Sequence, residues 1–212
     1  MIVVHHLNNS RSQRVLWLLE ELGIEYDIKF YERDPKTMLA PASLREVHPL
    51  GKSPVITDVG ETIAESGAII EYIVERYGNG RLIPPSGTPE HLRYTYWLHY
   101  AEGSAMPPLV MNLIFNRFGA GDSSANDAFI APQIKLHFDY VEGELAKSTW
   151  FAGSEFTAAD IQMSFPLELV AMQAEFISNR PHIKEFIELI HARPAYKRAL
   201  ERGGKYDYAN SI

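Results

Sequence analysis

The chain has 212 residues, 46% of them hydrophobic, enough to bury a sizeable core in one large or two small domains. Its formal charge of −7 and pI near 5.6 exclude the basic surface that nucleic acid requires. It contains no cysteine, which excludes disulfides, thiolate zinc sites and a protein thiol nucleophile, so any sulfur chemistry must use the sulfur of a ligand. No apolar run reaches the length of a membrane helix, and the N-terminus lacks the basic and apolar regions of a signal peptide. The expectation is a soluble cytoplasmic protein with no membrane partner.

The apolar run Ile2-Val3-Val4 predicts a first strand. The polar elbow Asn8-Asn9-Ser10-Arg11-Ser12 then opens a helix in which Val15, Leu18, Leu19 and Leu22 form one buried stripe, with Gly23 as its left-handed stop. The Ser10 hydroxyl is thereby displayed beside the unpaired N–H groups and the positive end of that helix, a place to hold an anion. Ile24, Tyr26, Ile28 and Phe30 alternate with Glu25, Asp27 and Lys29 as a half-buried strand, which makes a right-handed parallel βαβ unit. After an irregular stretch from Asp34-Pro35, Ala42 to Val47 reads as a short helix. Val55-Ile56-Thr57 and Thr62-Ile63-Ala64 form a hairpin around Asp58-Val59-Gly60-Glu61. Ser66 caps a helix with Ile69, Ile70, Ile73, Val74 and Tyr77 on its apolar face, ended by Gly78.

Residues 1–80 therefore predict a small α/β domain with a four-stranded sheet, and 81–87, rich in glycine and proline, a linker. Residues 88–212 read as helical throughout. Thr88-Pro89-Glu90 caps a helix through Trp97, Leu98 and Tyr100 that Pro107-Pro108 must kink or interrupt. Asp122 to Asn126 reads as a loop, followed by a long helix to about Ala146. Thr157 to Asp160 is a capping box with Phe156 and Ile161 as its hydrophobic staple, and two shorter helices begin near Pro181 and Pro194.

Three pieces of the first domain carry chemistry as a set: Ser10 at the opening of helix 1, Gly51-Lys52-Ser53-Pro54-Val55 entering a strand, and Glu65-Ser66-Gly67 opening the next helix, a second backbone anion site. This combination resembles the cytosolic glutathione transferases, in particular serine-type members of bacterial and fungal kind. The resemblance implies a thioredoxin-like βαβαββα domain with a mixed sheet, followed by an all-α bundle. It places the active hydroxyl at Ser10, four residues before Arg14, and implies that Lys52 meets the glycyl carboxylate of glutathione. On the same basis Ser53 and the cis-proline Pro54 present the backbone of Val55 to the cysteinyl moiety, and Glu65 and Ser66 hold the γ-glutamyl end. Asn9 is a second contact to the thiol, and Ser12 is the alternative to Ser10. Where a tyrosine-type enzyme would carry its tyrosine, at the end of strand 1, this chain has His5 and His6.

A free thiol with pKa near 8.5 is only about 5–10% ionised at cytosolic pH. A hydrogen bond to an ion contributes roughly 1.5–3 kcal/mol and a helix N-terminus roughly 0.3–1, so lowering the thiol pKa by one or two is within reach. Complete ionisation raises the nucleophile only about 10- to 20-fold, and larger accelerations must come from holding the electrophile against the sulfur. Ser10 is accordingly expected to stabilise a thiolate, not to act as the nucleophile. The electrophile is expected between the domains, with Met106, Met111 and Phe115 as one wall.

Successive residues of a strand point to opposite faces, so His5 and His6 cannot chelate together, and no metal is expected. Asp160 reads as structural because it closes a capping box. The leading function is conjugation of glutathione, the co-substrate, to small hydrophobic electrophiles, or reduction of organic peroxides, as detoxification by a homodimer. The alternatives are a glutathione-dependent dehalogenase or isomerase, and a non-catalytic interaction module on the same fold.

Overall fold

The computed structural model describes residues 1–118 and 126–210. In chain order the first elements are β1 (Ile2–Leu7), α1 (Ser12–Leu22), β2 (Tyr26–Tyr31), β3 (Val55–Asp58), β4 (Glu61–Ala64) and α2 (Ser66–Tyr77), with a 3₁₀ turn at Ala42–Glu46. The helices α3 (Pro89–Tyr100), α4 (Met106–Phe118), α5 (Ala131–Leu145) and α6 (Ala158–Ala171) follow. The chain ends with α7 (Ala174–Ser178), α8 (Pro181–Ala192), α9 (Pro194–Gly203) and a 3₁₀ turn at Asp207–Asn210. Two compact units result, one of Met1–Ile83 with Leu189–Asn210 and one of Pro84–Glu188.

In the first unit the sheet order is β2-β1-β3-β4. β1 and β2 pair in parallel, with Ile2 opposite Tyr26 and Leu7 opposite Tyr31, whereas β1–β3 and β3–β4 are antiparallel. The hairpin closes where expected. Val59 (φ 50°) and Gly60 (φ 85°) both take the positive φ that a two-residue turn of the favoured twist requires. In β2 the buried ends are Tyr26 and Tyr31, and Phe30, expected on the buried face, is 58% exposed. Tyr31 takes the inward place by packing with Leu7 and Leu44, the last supplied by the 3₁₀ turn.

Helix α1 ends as its sequence dictates: Gly23 sits at φ 64°, and the amides of Gly23 and Ile24 close back on Glu20 and Leu19. The single buried stripe expected of α1 is too narrow a description. Ser12 to Leu19 are all buried, because α9 covers the side of α1 turned away from the sheet. Trp17 meets Tyr196 edge-on with ring centroids 5.2 Å apart, and Arg193 grips Glu21 while Arg198 and Arg202 reach Glu20. At roughly 1.5–3 kcal/mol for each large apolar side chain buried, this second layer is a substantial part of the unit's core. Residues 189–210 thus pack with the first unit, although the sequence groups them with the helical half.

In the second unit Thr88 caps α3 by accepting from the His91 amide at 3.1 Å. The expected interruption at Pro107-Pro108 takes a particular form. The ladder widens to a π-helical stretch over Ala101–Ala105 and α4 restarts at Met106, so both prolines fall in a first turn, where an N–H is not needed. Of the expected loop, Asp122 to Ala125 lie outside the described residues, and Asn126 opens a π-helical turn that leads into α5. The capping box of α6 is formed by Thr157 and Asp160, and Asp160 also accepts from the Phe151 amide at 2.8 Å. Trp97 is fully buried among Tyr100, Tyr140 and Phe151.

Candidate active site

Strand direction brings the candidate residues together. Because β3 runs against β1, His5 lies opposite Val55, so the exit of β1 toward Ser10 and the entry to β3 from Ser53 share one edge of the sheet. Because β4 runs against β3, Val55 lies opposite Ala64, and Glu65 and Ser66 emerge at that same edge. The Ser53–Pro54 peptide is cis. Ser10 and Ser53 meet directly, with their hydroxyl oxygens 3.4 Å apart, and the Ser53 hydroxyl donates to the His5 carbonyl at 3.1 Å.

Ser10 stands two residues ahead of α1 and is 5% exposed. Its Oγ lies 2.7 Å from the Ser12 Oγ and accepts from the Ser12 amide at 3.2 Å. The Gln13 amide bonds to the Ser10 carbonyl and the Arg14 amide to the Arg11 carbonyl. The unpaired amides expected at this elbow are therefore consumed locally. What remains for an anion is the Ser10 hydroxyl and the dipole of α1. Behind Ser10, the Ser12 Oγ lies 2.9 Å from His6 Nδ1 and accepts from the Leu7 amide at 3.3 Å. Burial holds the His6 imidazole down to a pKa of about 4, against a hydrogen bond to the Gly203 backbone that favours the protonated ring. His5 is separate: its Nδ1 meets the Tyr31 hydroxyl at 3.0 Å, and burial and Lys29 lower its pKa.

The Asn9 side chain is engaged at both ends by the C-terminal 3₁₀ turn. Its Nδ2 donates to the Asp207 carboxylate at 2.6 Å and its Oδ1 accepts from the Asp207 amide at 2.9 Å. That amide must be released before it can serve a sulfur. Sequence spacing could not reveal this partner, which lies 198 residues away. Arg33 secures the same elbow by donating to the carbonyls of Asn8 and Asn9, each at 3.2 Å.

At the other end of the sheet edge, α2 begins at Ser66 itself and Glu65 takes the cap position expected of Ser66. The first backbone bond of α2 runs from the Ile69 amide to the Glu65 carbonyl, so the amides of Gly67 and Ala68 lie ahead of any intrahelical acceptor. Glu65 is exposed and held at φ 71°, ψ 121°, a conformation that costs a non-glycine residue of order 1–3 kcal/mol and recurs at ligand-binding positions. Lys52 is exposed, and no hydrogen bond or ion pair engages it among the described residues, whereas Val55 is fully buried. In the second unit Met106 is buried, Met111 is exposed and Phe115 is half-buried on α4.

A sheet of this order, with a buried hydroxyl, a free lysine and an open helix start gathered at one edge, defines a thioredoxin-like ligand-binding domain joined to a helical partner. Residues 10–76 match the family model for the glutathione S-transferase N-terminal domain, and residues 108–194 the model for the C-terminal domain. The chain is 37% identical to glutathione S-transferase 3 of Schizosaccharomyces pombe, over 95% of this chain and 88% of the relative. It is 30% identical to glutathione S-transferase 1 of Saccharomyces cerevisiae, over 95% of each. A crystal structure of a glutathione S-transferase from Actinobacillus pleuropneumoniae superposes with a TM-score of 0.88 at 34% identity, over 99% of this chain and 96% of that one. A sphingomonad glutathione S-transferase complexed with glutathione gives a TM-score of 0.77 at 25% identity, over 95% and 98%. The chain belongs to the glutathione S-transferase family.

Proposed function

We propose that this protein is a glutathione transferase in which Ser10 stabilises the glutathione thiolate and Lys52, Ser53, Val55, Glu65 and Ser66 hold the tripeptide. The observation that carries this reading is the convergence of Ser10, Ser53 and the Glu65-Ser66 helix start on one sheet edge, in a chain with no sulfur nucleophile of its own. Glutathione is an elongated dianionic peptide with one amine. The free lysine suits one carboxylate, the open amides of α2 suit the other, and exposed Glu65 suits the amine. The Ser10 hydroxyl donates to the sulfur anion, whose lone pair attacks an electrophilic carbon of a small hydrophobic substrate while the leaving group departs with its electron pair. The same thiolate attacking a peroxide oxygen would break the O–O bond, releasing an alkoxide that takes a proton to become the alcohol and leaving a glutathione sulfenic acid, which a second glutathione converts to the disulfide with loss of water.

Met111 and Phe115 offer apolar surface for the electrophile. Leu92 and Tyr96 of α3 with Leu136 and Tyr140 of α5 are exposed, and this apolar surface supports a homodimer. No helix among the described residues is long and apolar enough to cross a membrane. A cytoplasmic detoxification enzyme is consistent with this reading.

Titration calorimetry with glutathione, and turnover of a chlorinated aromatic electrophile by wild type and Ser10→Ala, test the proposal. Wild type binds glutathione, and Ser10→Ala lowers kcat/KM about tenfold near neutral pH, a loss that shrinks as the pH approaches the thiol's own pKa. Undiminished turnover in Ser10→Ala removes Ser10 from this role, and absence of glutathione binding overturns the reading as a whole.

A further inference from the structure

Ser10 and Ser12 are 2.7 Å apart at the mouth of the thiol site, and either hydroxyl could serve the sulfur. What lies behind them decides between the two. His6 is 3% exposed, on β1 under the start of α1. Its Nδ1 points at the Ser12 oxygen, 2.9 Å away. The Gly203 backbone accepts from the ring and so favours its proton; with Nδ1 facing Ser12, that proton is assigned to the other ring nitrogen. A neutral imidazole donates from one nitrogen and accepts at the other. With its N–H turned to Gly203, His6 presents a bare Nδ1 to Ser12, and a buried acceptor without a donor is costly. Ser12 supplies that donor: the Leu7 carbonyl, another acceptor within reach of its hydroxyl, is farther off at 3.3 Å against 2.9 Å for His6 Nδ1. A hydroxyl has one proton, so the Ser12 oxygen can then only accept, and two donors already face it: the Leu7 amide at 3.3 Å and the Ser10 hydroxyl.

We infer that His6 is a positioning residue: by taking the single proton of Ser12 it withdraws that hydroxyl from the sulfur and leaves Ser10 as the serine that donates to a bound thiolate. When Ser10 turns its proton outward, its oxygen is still supplied by the Ser12 amide at 3.2 Å. His6 exchanges no proton with the ligand in this arrangement. Its effect is to fix the direction of the two-serine chain. Desolvation and the Gly203 bond are the influences on the ring. The charged groups nearby, Lys29 on β2 and the arginines of α9, act on His5, Glu20 and Glu21 instead.

The inference rests on the proposed thiol chemistry, and the test separates the two. The acid dissociation constant of bound glutathione is read from the ultraviolet absorbance of its thiolate across pH, in wild type, Ser10→Ala, Ser12→Ala, His6→Phe and His6→Phe/Ser12→Ala. Ser10→Ala lowers the constant about tenfold, by losing a hydrogen bond to the anion. Ser12→Ala raises it several-fold, because Ser10 no longer has a competing acceptor. In the His6→Phe background the sign reverses: Ser12 now keeps its proton, donates to Ser10 or to the sulfur, and its removal lowers the constant. A merely structural role for His6 moves stability but leaves the sign of the Ser12→Ala effect the same in both backgrounds, and that result overturns the inference. A drop in the constant for Ser12→Ala alone also overturns it, since it makes Ser12 a donor in the native site. Should His6→Phe not fold, the same comparison is made in a His6→Leu background, which also removes the ring acceptor. If wild type binds no glutathione, the functional reading falls and this inference with it.

Discussion

Replacing His6 should flatten the acid limb of this protein's stability. In the fold its imidazole has a pKa of about 4, against 6.5 for a free histidine, because burial disfavours the charged ring. The depressed value means that, as the pH falls below 6.5, the unfolded chain takes up a proton that the folded chain refuses. Stability contributed by the neutral ring is therefore complete above 6.5 and is lost progressively toward 4. Integrated from pH 7.5 down to 4.5, the difference in proton uptake amounts to roughly 2–3 kcal/mol, a sizeable share of the 5–15 kcal/mol typical of a folded domain. His6→Gln removes the titration and keeps polar atoms for Ser12 and Gly203. The assay is urea unfolding at a series of pH values, followed by tryptophan fluorescence, since Trp17 of α1 is buried in the same unit. Carboxylates titrate in both proteins, so the quantity read is the difference between variant and wild type. That difference should narrow or reverse by roughly 2–3 kcal/mol in favour of the variant as the pH drops. Parallel curves for the two proteins would refute a buried neutral His6.

Three further outcomes follow from other contacts. Asp160→Ala leaves the amides of Phe151 and Thr157 without their acceptor in a fully buried setting, and should cost about 3 kcal/mol, visible as a lowered thermal midpoint. Gly203→Ala would place a Cβ 2.7 Å from Leu16 Cδ1 and 2.9 Å from Gln13 Oε1, forcing both side chains to shift; about 1–2 kcal/mol of destabilisation by urea unfolding is expected. Lys52→Ala removes an exposed cation that bonds to nothing among the described residues, so stability should hold while the KM for glutathione rises about tenfold and kcat changes little. A matching fall in kcat would assign Lys52 to the transition state.

The sheet and its motif residues were legible because they obey local rules. Gly23 closes α1, Val59-Gly60 closes the hairpin, and Thr157 with Asp160 opens α6, each from a signal a few residues long. What the sequence hid depends on distant partners. Nothing within α1 reveals that α9 covers its outer side, because the arginines that grip Glu20 and Glu21 lie more than 170 residues away and read as ordinary surface charges. Phe30 and Tyr31 compete for one inward place in β2, and alternation from Ile24 chose the wrong one; Leu44, arriving from the 3₁₀ turn, selects Tyr31. Similarly, the sequence says of His6 only that it cannot chelate together with His5, and the fold alone sets it under Ser12.

The geometry around Ser10 also bounds how much acidity the site can confer. With Ser10 donating to Ser12 in the free protein, as inferred for the two-serine chain, a thiolate gains only the difference between a charge-assisted hydrogen bond, roughly 1.5–3 kcal/mol, and a neutral one, roughly 0.5–1.5. With the first-turn amides of α1 consumed by Ser10 and Arg11, the helix adds its dipole, roughly 0.3–1 kcal/mol, and no direct bonds. Together these lower the thiol pKa by about one to one and a half, which raises the thiolate population at neutral pH less than about 20-fold. A transferase acceleration much beyond that cannot come from ionisation. It has to come from fixing the sulfur and the electrophile in contact, where effective molarities of about 10⁵ M and above are attainable. On the proposed reading, Lys52 and the Glu65-Ser66 helix start, which would anchor the tripeptide without touching its sulfur, matter to the rate as much as the hydroxyl does. Anchoring of that kind at both ends of the peptide would leave the sulfur little room to wander from Ser10.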